Sequence, residues 1–250
     1  MKKIIDPKSD EQTRVGKATT DSVVINIHKA KHNFLIPFVF GKKILDAGCG
    51  AGWSIKLLEP YFQSAVGLDG NAKAIEIAHS LNIANTSFVL TDLHDFDLAD
   101  KNFEAAISVD VIQQMVDPQR YLITIKKHLK ENGALIVITP NIAKTKNTNP
   151  VHYREYDKIT LVEELSRQFK VLNVLGLLKN DGSARLRFLW HFDPFKIRNY
   201  LPKTICSLTR KIFYIPGQNE LSPDNYPITT ELRDAYSFIA ICVNNRPNLN

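Results

Sequence analysis

Asp46 stands two residues before three glycines at alternate positions, Gly48-Cys49-Gly50-Ala51-Gly52. Glycines so spaced let a backbone approach a ligand closely and adopt φ > 0 where a turn needs it. Apolar Ile44 and Leu45 lead into the acid, and Trp53-Ser54-Ile55-Lys56-Leu57-Leu58 follows with helical character. A strand, a glycine turn and a helix in that order make a nucleotide-binding crossover. An acid before the turn disfavours a pyrophosphate and favours a cationic ligand. Trp53 occupies the place of a dinucleotide fingerprint's third glycine. A second acid, Asp69, closes the next apolar run, 23 residues after Asp46. There a carboxylate can hold the ribose hydroxyls of a nucleoside or cap the following helix.

The stretch from Ile44 to Trp53 resembles motif I of the class I S-adenosylmethionine-dependent methyltransferases, of the type 11/12-like small-molecule or glycan-pathway kind. The resemblance implies S-adenosyl-L-methionine as cofactor, with Asp46, Gly48, Gly50 and Gly52 around it and Asp69 on its ribose. It implies that Asp92, after the third strand, faces the adenine amino group while the backbone N–H of Leu93 meets a ring nitrogen. Asp110, closing the fourth strand, joins the cofactor-binding set. The family often shows an acid and then Glu-His at the positions of Gln113-Gln114. Here Gln114 can hydrogen-bond an acceptor but cannot titrate as a general base.

After the fifth strand comes Asn149-Pro150-Val151-His152-Tyr153-Arg154-Glu155-Tyr156. It resembles an element of bacterial methyltransferases linked to cell-surface glycan and other small-molecule pathways. On that resemblance His152 is the candidate catalytic base for an acceptor hydroxyl, and Arg154 can hold an acidic group of the substrate. The alternative is that Arg154 and Glu155 pair while His152 caps or packs. The expected reaction is methyl transfer to a small-molecule or glycan-precursor acceptor, at oxygen. Two alternatives stand beside it: an RNA-modifying methyltransferase, and a non-catalytic cofactor-binding scaffold suggested by Gln113-Gln114. His28 and His32 lie one helical turn apart without an evident third metal ligand, so no metal is expected and a surface or lid role is.

These residues need a scaffold, and the chain alternates short apolar runs with helical patterns. That alternation predicts an α/β fold, a Rossmann-like parallel sheet with helices on both faces. Strands are expected at 44–46, 65–69, 87–90, 103–110, 134–138, 171–177 and 236–243. The resemblance implies the order 3-2-1-4-5-7-6 with the last strand antiparallel. Gly133 is expected to cap the C-terminus of a helix over 119–130. Residues 1–40 read as an N-terminal lid and 41–250 as the methyltransferase domain, with 179–234 as a basic, aromatic-rich cap insertion.

Composition fits a folded enzyme: 250 residues, 44% of them apolar, suit one elaborated domain. No apolar run is long enough to span a bilayer. Met1–Asp6 turn polar at once, which with three scattered cysteines (Cys49, Cys206, Cys242) predicts a cytoplasmic protein. Charge is uneven. Between 185 and 216 stand Arg185, Arg187, Lys196, Arg198, Lys203, Arg210 and Lys211 against Asp193 alone, a surplus equal to the chain's net charge of +6. Aromatics interleave with these bases, so the segment allows a helical subdomain, a platform for an anionic substrate or membrane surface, or a nucleic-acid contact.

Overall fold

A computed structural model describes residues 22–146, 149–178 and 226–245. The basic stretch at 185–216, most of the expected cap insertion and residues 1–21 of the expected lid lie outside the described residues.

Five strands run parallel: β1 (Lys43–Ala47), β2 (Ser64–Asp69), β3 (Thr86–Leu90), β4 (Phe103–Val109) and β5 (Leu129–Pro140). β6 (Lys170–Leu178), the two-residue β7 (Ile228–Thr229) and β8 (Ala235–Val243) complete the sheet. Its order is β3-β2-β1-β4-β5-β8-β6-β7. This is the expected order with the final strand wedged antiparallel between β5 and β6, plus one edge strand too short for the sequence to announce.

Helices cover both faces: α1 (Ser22–Val39), α2 (Trp53–Leu58), α3 (Ala72–Ser80), α4 (Pro118–His128), α5 (Ile142–Thr145) and α6 (Lys158–Ser166). Their starts are written in polar residues. Asn71 accepts from the N–H groups of Lys73 and Ala74 to begin α3. Asp117 accepts from Arg120 N–H ahead of Pro118, and Asp157 and Thr160 form a reciprocal capping box on α6. Each such cap contributes about 0.5–2 kcal/mol.

β1 and β4 lie at the sheet's centre and are apolar on both faces, as a doubly covered parallel sheet requires. One core layer gathers Leu45, Phe103, Tyr121, Leu122 and Leu161 beneath α4 and α6. The other gathers Leu35, Val39, Ile44, Ile55 and Ala78 beneath α1, α2 and α3. α1 is thus part of the domain's own core through Leu35 and Val39.

One expected feature is corrected. α4 ends at His128, and Gly133 lies on β5 instead of capping a helix. The left-handed turn falls on Asn132 (φ 59°). Gly133 is needed for space: a Cβ there would sit 2.9 Å from Lys130 O and 3.3 Å from Phe103 O.

Candidate active site

The carboxyl ends of β1 and β2 are stitched together around the glycine turn. The N–H groups of Gly48 and Cys49 both donate to Leu68 O at 2.8 Å. Gly50 N–H donates to Asp69 Oδ2 at 2.8 Å, and Asn71 N–H to Asp69 Oδ1 at 2.8 Å. Asp69 therefore braces the turn from below, and the helix cap falls to Asn71. All three glycines have positive φ, of 101°, 52° and 81° in chain order. They differ in surroundings. A Cβ on Gly48 would sit 2.3 Å from Val111 Cγ2, whereas one on Gly50 would meet nothing within 4 Å. Gly48 is required by packing; Gly50 presents bare backbone to open space.

Asp46 lies behind this turn, 1% exposed, and neither carboxylate oxygen has a hydrogen-bond partner. Burial, and then the charge of Asp69, push its pKa up to about 8. An ionised carboxylate so placed gains strongly from a nearby cation. Asp69 is also shifted upward by burial, against the bonds from Asn71, Gly50 and Gly70.

A cleft of about 670 Å³ opens beside the turn. Asp69, Gly70 and Asn71 form one wall, and Leu90, Asp92, Leu93 and His94 another. Gln114, Met115, Val151 and Tyr153 close it from the loops after β4 and β5. Asp92 is exposed and accepts from His94 N–H at 2.8 Å, a bond that holds its pKa below the usual carboxylate range. The cleft thus unites Asp69, Asp92, Leu93 and Gln114. Asp46, Gly48, Gly50, Gly52 and Asp110 belong to the turn and to the end of β4, and do not line it.

His152 and Arg154 also lie outside the cleft lining. His152 is half-buried, with Nδ1 2.6 Å from Glu155 Oε1 and Nε2 3.2 Å from Asn149 Nδ2. The Glu155 carboxylate also accepts from Thr145 Oγ1. The alternative Arg154–Glu155 pair does not form: Glu155 partners His152, while Arg154 donates to Val116 O at 3.2 Å and lies 3.7 Å from Glu164. Gln113 is buried; its carbonyl accepts from Tyr153 and Arg154 N–H groups, and Thr139 Oγ1 donates to its Oε1 at 3.1 Å. This glutamine fastens the post-β5 loop to the post-β4 turn.

The sequence reading missed two residues here. Lys31 of α1 reaches Asp110 Oδ2 at 2.5 Å. Tyr121 of α4 donates to Ala47 O and shares a hydrogen bond with Ser108 Oγ, both at 2.8 Å, fixing the end of β1 just ahead of the turn. Neither residue stands in a recognisable local motif. His32 bonds Ser54 Oγ at 2.8 Å, and burial lowers its pKa to about 4, so it is neutral. No metal-binding cluster occurs among the described residues.

A family model described as a methyltransferase domain matches residues 40–181. A Mycolicibacterium smegmatis protein named "probable S-adenosylmethionine-dependent methyltransferase" is 25% identical over 186 residues, 72% of each chain. The ubiquinone biosynthesis O-methyltransferase of Rickettsia conorii is 28% identical over 105 residues, 41% of this chain and 36% of that one. The chain spans less than half the length of most curated relatives it matches. A Thermotoga maritima structure, described as a SAM-dependent methyltransferase and possible histamine N-methyltransferase, superposes with a TM-score of 0.64 at 16% identity. That match covers 95% of this chain and 99% of the other, and it shows a shared fold.

Proposed function

The chain belongs to the methyltransferase-domain family and is a class I S-adenosylmethionine-dependent methyltransferase, and from that premise we propose that it methylates an oxygen of a small-molecule or glycan-precursor acceptor. The cofactor supplies a methyl group made electrophilic by its sulfonium; the chain's own residues must bind, orient and dehydrate. In this reading Asp69 holds the ribose hydroxyls and Asp92 the adenine amino group, with Leu93 N–H beside it. The bare backbone at Gly50 takes the close approach of the cofactor's amino-acid end. The unpartnered Asp46 carboxylate supplies the negative potential that a sulfonium and an ammonium both favour.

One observation carries the small-molecule reading. Among the described residues the cleft is walled by Asp69, Asp92, His94 and apolar Leu90, Leu93, Met115 and Val151, with no lysine or arginine. Such a wall repels a polyphosphate chain and suits a cationic nucleoside beside a compact acceptor. The name of the ubiquinone-biosynthesis relative supports oxygen as the atom methylated. Gln114 lines the cleft and can hydrogen-bond the acceptor. We read His152 as the brace of the post-β5 loop, because both ring nitrogens are engaged there. Arg154 in turn ties that loop to Val116, leaving substrate contact to Tyr153 and Val151.

The test supplies labelled S-adenosylmethionine with phenols and nucleotide sugars in one arm and bulk tRNA and rRNA in the other. Mass spectrometry of the products is expected to locate an O-methyl group on a small acceptor. Turnover confined to RNA would overturn the reading in favour of an RNA-modifying enzyme using the basic 185–216 stretch.

A further inference from the structure

Residues 91–98 leave β3 without forming a helix or strand, yet they are strapped to α4 along its length. Arg120 Nη2 donates to Asp95 Oδ2 at 2.6 Å. Thr124 Oγ1 hydrogen-bonds His94 O at 3.0 Å, and Leu98 N–H donates to His128 Nε2 at 3.0 Å. Arg120, Thr124 and His128 stand on successive turns of α4, so one face of that helix carries all three ties. This loop forms the cleft wall that bears Asp92, Leu93 and His94.

Within it, Asp92 and His94 are bonded twice. His94 N–H donates to Asp92 Oδ1 at 2.8 Å, the local turn that a short carboxylate makes with the backbone two residues on. His94 Nδ1 lies 2.9 Å from the same oxygen. The other ring nitrogen, Nε2, faces Asp117 N–H at 3.5 Å. A backbone N–H can only donate, so Nε2 accepts and the ring proton sits on Nδ1, directed at Asp92. The backbone bond first and the ring bond second hold the Asp92 carboxyl ionised. Both bonds fall on Oδ1. Oδ2 takes no hydrogen bond among the described residues, and it belongs to an exposed side chain that lines the cleft. The α4 ties already hold the loop, and an exposed pair of this kind adds little to stability. What the His94 ring adds is a fixed direction for the carboxylate.

We propose that His94 is a positioning residue for base recognition, turning Asp92 so that Oδ2 accepts from the exocyclic amino group of the cofactor's adenine. This rests on the assignment of Asp92 to that amino group. An ionised carboxylate can only accept. It pairs with an amino group and meets an oxo group lone pair to lone pair. An untethered carboxylate escapes the second encounter by rotating into water; one held at Oδ1 cannot. His94 therefore sharpens the choice of base more than it strengthens binding as a whole.

The test needs no acceptor. Titration calorimetry on the full chain compares S-adenosylhomocysteine with S-inosylhomocysteine, its oxo counterpart. The ring-nitrogen mismatch at Leu93 N–H is common to every variant and cancels from the comparison. The unsubstituted protein should prefer the adenosyl compound, and His94→Ala should cut the ratio of affinities about 5- to 20-fold. His94→Asn sets an amide N–H in the place of Nδ1 and should keep most of the ratio. His94→Gln sets its amide in the place of Nε2 and should lose the ratio as alanine does. An unchanged ratio in His94→Ala and His94→Gln, or a ratio lost equally in His94→Asn, would overturn the proposal. If His94→Ala does not fold, the asparagine and glutamine variants still decide. Asp92→Ala should lower the ratio at least as far as His94→Ala. A ratio intact in Asp92→Ala, with S-adenosylhomocysteine still bound, would place the fault in the assignment of Asp92. Failure of the unsubstituted protein to bind either compound would instead overturn the cofactor reading beneath both.

Discussion

The glycine-turn half of the site and the acceptor half are built by opposite means. At the turn, the groups proposed to hold the cofactor are backbone atoms and two buried acids, all drawn from Asp46 to Asn71. Across the cleft, the candidate groups are side chains brought from separate loops, Gln114 after β4 and Tyr153 after β5. The turn's hydrogen bonds to Leu68 and Asp69 lie inside one β-α-β unit, with Val111 and Tyr121 packed behind it. The acceptor half depends on how α1 and the post-β5 loop dock. Such a division lets one half stay fixed for a common nucleoside while the other changes with the acceptor.

The most damaging way to probe this contrast is to disturb the turn itself. Gly48→Ala places a Cβ against Val111 at a backbone angle that L side chains rarely adopt. It should abolish measurable cofactor binding and lower stability by roughly 1–3 kcal/mol, read by calorimetry and thermal melting. Asp69→Ala comes next. Losing a charged hydrogen-bond acceptor there should weaken S-adenosylmethionine roughly 10- to 150-fold, and the loosened Gly50 backbone should add to the loss.

The Asp46 effect is graded with pH. Its folded pKa of about 8 lies above the ordinary carboxylate value of 3.8 that it takes in the unfolded chain. The stability it contributes is therefore complete at low pH and is lost as pH rises toward 8. A cation favours the ionised form, so cofactor affinity should climb with pH, at most about tenfold per unit, and level off above 8. Proton release on binding, measured in buffers of different ionisation enthalpy, should be largest below pH 8. A flat profile, or affinity falling as pH rises, would detach Asp46 from the cofactor.

The smallest effect is expected in the opposite half. If His152 braces the loop, His152→Gln keeps one hydrogen bond and should cost about 1 kcal/mol of stability with less than tenfold loss of turnover. A loss of 10²–10⁴-fold at unchanged stability would restore it as the base.

The same contrast explains what the sequence revealed. The strands and the turn were legible because apolar alternation and glycine spacing act within a few residues. The Asp46, Asp69 and Asp92 positions followed from that local grammar. Gly133 misled because a glycine after a helical pattern looks like a cap, and only the packing against Phe103 shows that it serves a strand. The Lys31–Asp110 pair spans 79 residues, and no spacing rule joins them. His152 was visible, but whether its nitrogens are free or engaged depends on Asn149 and Glu155 in three dimensions.

The wedged position of β8 bears on the order in which the molecule can be made. Strands β1 to β5 can pair as they emerge from the ribosome. β6, ending at Leu178, reaches β5 only through β8, which begins at Ala235. Until that later strand arrives, the edge formed by Ile136, Val137 and Ile138 has no partner on its β8 side. During synthesis this is an aggregation-prone edge, waiting on a segment translated well after it. Slowed translation between β6 and β8 should therefore lower the yield of folded protein more than an equal delay after β8.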